Sequence, residues 1–227
     1  MSLYRKNYMN ISVIVPTLIK NDKHLGLTIR CLEAASSKTE LPFELVIVET
    51  GTEYLEDYAD IYLHEPEKTS DVKSFNNGFL HSSGDFLVLL TNDVIVDNDW
   101  LECLCECFIK DDCGIATLAT DQLRHEKHDE ISEGIWFSLA MWKNEKELFN
   151  EDYINSWNDT DFIMRQYLKG RKSYRNYGCV VHHEVGATQY ADSKHYENYR
   201  KNKELFKSRY RDCEHPIYEK LINGVVI

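Results

Sequence analysis

Short apolar runs alternate with helical spacing along the first 120 residues of the chain. Residues 11–15 are rich in Ile and Val and end at Pro16, which predicts a buried strand. Phe86–Leu90 is apolar at every position, which predicts a strand buried on both faces. The same patterns predict strands at 44–48, 61–63 and 115–118 and helices at 25–35, 70–82 and 99–109. Strands that alternate with helices predict an α/β fold with a mostly parallel open sheet and flanking helices.

The alternation ends near residue 120. The later patterns predict a polar segment at 121–133, an extended apolar one at 134–142, helices at 159–168 and 193–210, and a short strand at 179–182. Because no linker rich in Gly or Pro and no internal repeat divides the sequence, one domain is predicted over 1–211. A C-terminal tail, 212–227, follows it.

The composition is that of a globular protein. Of the 227 residues, 43% are apolar, 28% are charged, 10 are Gly and 4 are Pro, which excludes disordered and collagen-like classes. The longest apolar stretch, Phe86–Leu90, is far shorter than the roughly 20 residues of a membrane helix. Because the first residues lack the apolar core of a secretory signal, a cytoplasmic location is predicted, with peripheral membrane contact left open.

The charge is unevenly distributed. The net charge is −12, yet residues 164–211 carry twelve Lys and Arg against four Asp and Glu. This segment suggests contact with a phosphate, a nucleotide or a lipid headgroup, and the alternative is a pair of solvated helices. The apolar face predicted for the last helix consists of Tyr196, Tyr199, Leu205, Phe206 and Tyr210. The acidic remainder argues against broad nucleic-acid binding.

Seven cysteines in a chain without an export signal predict free thiols in a reducing compartment. Cys103, Cys105 and Cys107 resemble metal-ligand spacing, but they lie in a predicted helix, where only Cys103 and Cys107 share a face. Small buried hydrophobes are therefore the preferred interpretation. The same caution applies to His125 and His128, which lie in a polar stretch.

Polar residues follow several predicted strands. Ligands of open α/β sheets bind outside the carboxyl ends of the strands, and this rule points to Pro16-Thr17, Glu49 and Thr91-Asn92-Asp93. Asp93 comes directly after an apolar strand, where carboxylate oxygens suit a hard divalent cation that holds a diphosphate.

Two acids and two histidines of the second half are further candidates. Asp159 and Asp161 lie at the start of a predicted helix, where carboxylates are also ordinary capping residues. His182 and His183 leave a strand, and one of them is a candidate metal ligand, although a histidine in this position is often structural.

Six segments in this order carry a resemblance that extends from about Ile11 to Phe206. They are Ser12-Val13-Ile14-Val15-Pro16-Thr17, Leu45-Val46-Ile47-Val48-Glu49-Thr50-Gly51-Thr52, Asn76-Asn77-Gly78-Phe79, Leu90-Thr91-Asn92-Asp93-Val94, Trp157-Asn158-Asp159-Thr160-Asp161-Phe162 with Arg165 and Gly170, and Val181-His182-His183-Glu184-Val185-Gly186-Ala187-Thr188. Each segment alone is weak evidence, but their order is specific. The chain resembles the family 2 glycosyltransferases of the GT-A fold, especially bacterial and viral rhamnosyltransferase-like members.

The resemblance implies the GT-A nucleotide-diphospho-sugar transferase fold. Residues 11–120 would be the half that binds the nucleotide sugar, and 121–211 the half that binds the acceptor and carries catalysis. It implies a metal-dependent, inverting hexosyl- or deoxyhexosyltransferase that uses Mn²⁺ or Mg²⁺. A UDP- or dTDP-linked donor and a glycan, glycolipid or glycoprotein acceptor are expected.

The resemblance also implies roles for individual residues. Donor binding is expected of Pro16, Thr17, Glu49, Asn77, Asn92 and Asp93. Asp93 and His183 are the expected metal ligands, and Asp159 is the expected general base. The chain departs from the family pattern where Thr91 replaces the first acid of the metal motif and Asn158 replaces a Glu. A threonine hydroxyl is a poorer metal ligand than a carboxylate.

Two other function classes stay open. A sugar nucleotidyltransferase would be expected to carry a glycine-rich phosphate loop after the first strand, but residues 16–22 contain no glycine. A non-catalytic protein that binds nucleotide sugars is the second alternative, because Thr91 and Asn158 both replace acids.

Overall fold

The structure, a computed structural model, describes residues 9–51, 54–66, 70–121, 130–134, 137–184 and 195–223. The strands in chain order are β1 (Ile11–Ile19), β2 (Glu44–Gly51), β3 (Ile61–Glu65), β4 (Phe86–Leu90), β5 (Val94–Ile95), β6 (Cys113–Thr120), β7 (Ile131–Glu133), β8 (Leu139–Lys143) and β9 (Lys172–His183). The helices are α1 (Asp22–Ser37), α2 (Asp71–His81), α3 (Trp100–Cys107), α4 (Asn158–Leu168), α5 (His195–Arg209) and α6 (Pro216–Ile222).

The strands form one open sheet of mixed direction. Its order is β3-β2-β1-β4-β8-β6-β9-β5, and β7 pairs with β9 beside this path. Strands β1 to β4 are parallel to one another, β8 runs antiparallel between β4 and β6, and β6 and β9 are parallel. The predicted α/β fold with an open sheet and flanking helices is confirmed.

Alternate residues of the parallel strands point to two separate cores. Val13 and Val15 belong to a cluster that contains Trp100 of α3, whereas Ile14 belongs to a second cluster that contains Phe79 of α2. Both faces of the sheet are therefore covered by helices. This double burial explains why these strands are apolar at consecutive positions.

Capping residues set where the first helices begin. The side chain of Asn21 accepts a hydrogen bond from the His24 amide at the start of α1, and Ser70 accepts one from the Lys73 amide at the start of α2. A polar oxygen at this position satisfies an amide that the helix itself leaves unpaired. The second helix was predicted to begin at residue 70; in the structure Ser70 is the N-cap residue and α2 begins at Asp71.

The final strand is longer than the sequence pattern indicates. A strand was predicted at 179–182, whereas β9 spans Lys172–His183. Arg175 and Asn176 are each only 1% exposed, so the buried part of β9 includes polar residues that an apolar pattern does not detect. The C-terminal segment from residue 212 includes α6, whose Ile217 is buried in the second core cluster.

The cysteine prediction is wrong for one pair. Cys103 of α3 and Cys179 of β9 form a disulfide, with 6.3 Å between their Cα atoms. The two residues are 76 positions apart in sequence, so local spacing could not reveal the pairing. The free cysteines are Cys31, Cys105, Cys107, Cys113 and Cys213. Burial raises the pKa of the first four thiols, as expected of small buried hydrophobes.

Some predictions lie outside the described residues. They include those for His125 and His128, and residues 185–188 of the histidine segment. Among the described helices, none is both long enough and apolar enough to cross a membrane.

Candidate functional site

Strands β1 and β4 stop pairing before β1 ends. The β1–β4 register ends at Ile14 and Leu89, whereas the β1–β2 register continues to Ile19 and Gly51. Pro16, which has no amide hydrogen, lies just beyond the end of the β4 pairing. The strand order reverses between β1 and β4, and ligands of open α/β sheets bind at such a point.

Thr17 and Asn92 join β1, α1 and the end of β4. The Asn92 Nδ2 group donates to Thr17 Oγ1 at 3.0 Å and to Thr28 Oγ1 at 2.8 Å. Thr28 in turn donates to the His24 carbonyl oxygen. Asn92 and Thr17 are each 6% exposed. This buried network fixes the loop that carries Asp93 and favours a positioning role for Asn92.

Glu49 is fully buried at the end of β2. Its Oε2 accepts hydrogen bonds from the Leu55 amide at 3.0 Å and from the Tyr62 hydroxyl at 2.6 Å. Burial, followed by the bond to Glu49, raises the pKa of Tyr62, so this phenol keeps its proton. The buried Oε1 of Glu49 has no partner among the residues that the structure describes. This carboxylate therefore retains an acceptor for a ligand.

Asn77 binds an acid that the sequence analysis did not select. Its Nδ2 donates to Glu65 Oε1 at 3.0 Å, and Ser74 Oγ donates to Glu65 Oε2 at 2.7 Å. The neighbouring Asn76 donates to the Phe149 carbonyl oxygen through Nδ2 and accepts from the Phe149 amide through Oδ1. Glu65 is the last residue of β3, and Glu49 lies two residues before the end of β2. This position near a carboxyl strand end is the sequence signal that could have identified Glu65.

Asp93 and His183 meet where the short strand β5 pairs with the end of β9. Val94 of β5 is opposite His183 of β9, and the Glu184 amide donates to the Asp93 carbonyl oxygen at 2.9 Å. The distance from Asp93 Oδ2 to His183 Nε2 is 3.5 Å, and both side chains are largely buried. Residues 90 positions apart in sequence are thus adjacent.

These two side chains suit a divalent cation. A carboxylate oxygen and an imidazole nitrogen are donors that Mn²⁺ accepts. Groups of three or more potential ligands are absent from the described part of the chain, so a diphosphate and water would have to supply the other donors. His182 faces elsewhere, because its Nδ1 lies 2.5 Å from Asp121 Oδ2 and its side chain is 57% exposed.

Asp159 lies in the first turn of α4. Its Oδ1 accepts hydrogen bonds from the Thr160 amide at 2.7 Å and from Thr160 Oγ1 at 3.3 Å. The residue is partly exposed, yet burial raises the pKa of its carboxyl. A reachable carboxylate with a raised pKa is suited to accept a proton.

The segment before α4 lies at the same edge of the sheet as Asp93. Asn155 Oδ1 accepts a hydrogen bond from the Asp71 amide at 3.2 Å, at the start of α2. Helix α2 follows the carboxyl end of β3. Asp159 and Asp93 are therefore on the same side of the domain.

Asp161 has a structural environment and is 1% exposed. Its Oδ2 accepts from Arg165 Nε at 2.9 Å, as predicted for a residue four positions away. Its Oδ1 accepts from the Tyr210 hydroxyl at 2.9 Å and lies 3.3 Å from both the Tyr153 hydroxyl and Arg209 Nη1. Asp161 therefore joins α4 to α5.

Helix α5 holds the residues that precede Asp159. Trp157 has a left-handed backbone, with φ of 66°, and its ring contacts Phe206 and Tyr199. Asn202 is buried and donates to the carbonyl oxygens of Ile154 and Ser156. A bulky residue at positive φ needs such support. Neither Asn202 nor the conformation of Trp157 was detectable from sequence.

Several basic side chains of α5 already have partners within the protein. Lys201 pairs with Glu197, Lys207 pairs with Glu204, and Lys203 lies over the Trp157 ring at 5.7 Å. The predicted apolar face is confirmed at Phe206, which is fully buried, and is wrong at Tyr196, which is 68% exposed.

Solved glycosyltransferase structures have the same fold. The mannosyltransferase PcManGT from Pyrobaculum calidifontis, in complex with GDP-Man and Mn²⁺, is 18% identical, with a TM-score of 0.69 over 96% of this chain and 68% of that one. GalNAc-T7, with UDP, GalNAc and Mn²⁺, is 12% identical, with a TM-score of 0.70 over 91% of this chain and 50% of that one. TarS of S. aureus is 15% identical, with a TM-score of 0.63 over 94% of this chain and 42% of that one.

The chain thus spans half or less of the length of GalNAc-T7 and TarS. At these identities the likeness shows the fold alone. No functionally curated protein is recognisably similar to the chain in sequence. The sequence model of glycosyl transferase family 2 matches residues 12–171, which include Thr17, Glu49, Asp93 and Asp159. The chain belongs to glycosyl transferase family 2.

Proposed function

We propose that this protein is an inverting glycosyltransferase that moves a sugar from a nucleoside diphosphate to a hydroxyl of a glycan, glycolipid or glycoprotein. The observation that carries the proposal is the 3.5 Å approach of Asp93 Oδ2 and His183 Nε2 at the carboxyl edge of the sheet. Ligands of such folds bind at this edge, and the bond to be broken carries a diphosphate leaving group.

The donor would lie across the ends of β1, β2 and β4. Pro16 and Thr17 would border the nucleotide, and the free Oε1 of Glu49 would accept a hydrogen bond from its ribose or base. Asn92 would position the diphosphate loop through its bonds to Thr17 and Thr28, and Asn77 would act through Glu65.

Asp93 and His183 would hold Mn²⁺ or Mg²⁺. Their donor chemistry fits either cation, and the low exposure of both side chains leaves them with few competing water contacts. A divalent cation supplies positive charge that stabilises the diphosphate as it leaves. The Mn²⁺ in the structures of PcManGT and GalNAc-T7 supports this assignment by analogy.

Asp159 would remove the proton from the acceptor hydroxyl as that oxygen attacks the anomeric carbon. A single base on the face opposite the leaving group gives one displacement and therefore inversion. The bonds from Thr160 orient the carboxylate, and its raised pKa makes it a stronger base than an exposed aspartate.

The finer assignments belong to the same proposal. We expect a UDP- or dTDP-linked donor, and the GDP-Man bound to PcManGT adds GDP to the nucleotides worth testing. The rhamnosyltransferase-like subtype, the division into donor and acceptor halves and the cytoplasmic location stay predictions.

A non-catalytic protein that binds nucleotide sugars is the second candidate. The observation that favours it is the replacement of two family acids by Thr91 and Asn158. The two candidates differ in turnover, not in nucleotide binding.

The test begins with binding of UDP, dTDP and GDP, measured calorimetrically with Mn²⁺ and with EDTA. The proposal predicts tighter binding of one nucleotide with Mn²⁺. The matching nucleotide sugars are then assayed for release of free nucleotide, with a panel of glycan acceptors and with Asp159→Asn as the control. Acceptor-dependent release that Asp159→Asn abolishes supports the enzyme. Metal-dependent binding without any release supports the non-catalytic alternative, and equal binding with Mn²⁺ and EDTA contradicts the metal assignment.

A further inference from the structure

Strand β9 contains a three-residue bulge. From the pair Ile115 and Ser173 to the pair Leu118 and Asn176 it follows β6 in register, but the next pair is Ala119 with Val180. One step along β6 therefore corresponds to four steps along β9. The residues accommodated in the bulge are Tyr177, Gly178 and Cys179.

The bulge determines where His183 lies. Without it, the residues after Asn176 would stay in register and His183 would extend three residues further, roughly 10 Å at the rise of a strand. Because three is an odd number, its side chain would also point to the opposite face. With the bulge present, His183 is opposite Val94 and next to Asp93.

Contacts with α3 hold the bulge. Asn176 Nδ2 donates to the Cys103 carbonyl oxygen at 3.0 Å and to Glu106 Oε2 at 3.1 Å, and Asn176 Oδ1 accepts from the Gly178 amide at 2.9 Å. Asn176 is 1% exposed. The disulfide between Cys179 and Cys103 adds a covalent link to the same helix.

We infer that Asn176 and the Cys103–Cys179 disulfide are positioning elements that place His183 against Asp93 by fixing this bulge to α3. Neither is among the residues assigned to the donor or the acceptor, and both contact α3, so they act through His183. The consequence for cation binding rests on the proposed function. The positioning itself does not, and it can be measured without any ligand.

The first measurement is amide hydrogen exchange, resolved by NMR. The Glu184 amide is the reporter, because it donates to the Asp93 carbonyl oxygen across the β5–β9 pair, and the Val88 amide of β4 is the internal reference. Asn176→Ala should accelerate exchange at Glu184 by about tenfold or more relative to Val88. Cys179→Ser, or reduction of the parent with dithiothreitol, should accelerate it in the same direction.

The second measurement is the ratio of nucleotide affinity with Mn²⁺ to nucleotide affinity with EDTA, made with whichever of UDP, dTDP and GDP the parent binds most tightly. Both Asn176→Ala and Cys179→Ser should lower this ratio, by about tenfold for Asn176→Ala, and leave the EDTA value unchanged. A general loss of stability would lower the affinity with Mn²⁺ and the affinity with EDTA alike, and would therefore leave their ratio unchanged. Ile217→Ala removes buried surface on α6 in the second core cluster, whereas Cys103 belongs to the first, and it serves as the control variant with a lowered melting temperature.

The outcomes are distinct. Unchanged relative exchange at Glu184 in folded Asn176→Ala would overturn the inference, as would an equal acceleration in Ile217→Ala. Should Asn176→Ala not fold, Cys179→Ser and the reduced parent decide the matter by the same comparison. The two measurements can also disagree. If Glu184 exchange accelerates in the variants but Mn²⁺ does not enhance nucleotide affinity in the parent, the positioning is supported and the proposed cation site is contradicted.

Discussion

The hydroxyl of Thr91 donates a hydrogen bond to Asp93 Oδ1 at 2.7 Å. Thr91 occupies the position at which the family pattern has an acid, and this bond leaves Oδ2 as the Asp93 oxygen that faces His183. The threonine therefore orients the remaining carboxylate. A bond of this kind is a second-layer contact that fixes the direction of a metal ligand.

Replacing Thr91 by valine removes the hydroxyl and keeps the shape of the side chain. We expect Thr91→Val to weaken the Mn²⁺ enhancement of nucleotide binding by about tenfold, because Asp93 loses its orientation. Thr91→Ser retains the donor and should bind nearly as the parent does. Titration calorimetry with UDP in Mn²⁺ and in EDTA measures both, and equal behaviour of the valine and serine variants would argue against an orienting role.

The two adjacent histidines provide a matched comparison at the proposed cation site. His183 is next to Asp93, whereas His182 pairs with Asp121 at the surface. We expect His183→Ala to reduce the Mn²⁺ enhancement of nucleotide affinity by about tenfold or more and His182→Ala to leave it unchanged. Asp93→Ala should reproduce the effect of His183→Ala. A larger effect from His182→Ala would move the cation site to the Asp121 side of β9.

Asp159 is expected to control activity without supporting stability. Asp159→Asn keeps the acceptor for the Thr160 amide but removes the base, so kcat should fall by about 100-fold or more with donor binding retained. Since burial raises the pKa of this carboxyl, the acidic limb of the parent's kcat profile should lie above the ordinary aspartate value of 3.8. Activity should decline as the pH falls through that raised pKa.

The stability of the same variant has a defined pH dependence. A raised folded-state pKa means that Asp159 favours folding when protonated, and that this contribution is lost as the pH rises through the raised pKa. Asparagine does not titrate, so the melting temperature of Asp159→Asn relative to the parent should increase between acid and neutral pH. A variant that melts progressively below the parent over this range would contradict the desolvated environment of Asp159.

Asp161→Asn should act through stability. It removes the charge that pairs with Arg165 and contacts Arg209, and we expect a loss of about 2 kcal/mol in the free energy of unfolding. Denaturant unfolding beside turnover at donor saturation separates the two acids. Full stability with abolished turnover in Asp161→Asn would place the base at Asp161.

Much of the first half of the fold could be predicted because both faces of its sheet are buried. Phe86–Leu90 is a strand with the predicted bounds, since its consecutive apolar residues contact helices on either side. The same rule failed at Lys172–Asn176, where buried Arg175 and Asn176 interrupt the apolar pattern. Helix α6 was not predicted, although His215 before Pro216 is a recognisable helix start.

The site could be predicted only in part. Asp93 follows β4 and His183 ends β9, so the strand pattern predicts that both lie at strand ends, whereas the bulge in β9 brings the two side chains together. The contacts of Asp161 with Arg209 and Tyr210, and those of Asn202, depend on the docking of α5, which local sequence does not encode. The bulge in β9 has the same origin, because its partner Cys103 is remote in sequence.

The docking of α5 makes the last described residues part of the fold's cooperative unit. Asp161 lies within the family match, but Arg209 and Tyr210, two of the residues that satisfy it, lie beyond residue 171. Phe206, which covers the Trp157 ring, also lies beyond it. A chain shortened to the matched segment would therefore expose the side of α4 that carries Asp161. Such a fragment should unfold without a sharp transition, and the minimal expressible unit extends through α6.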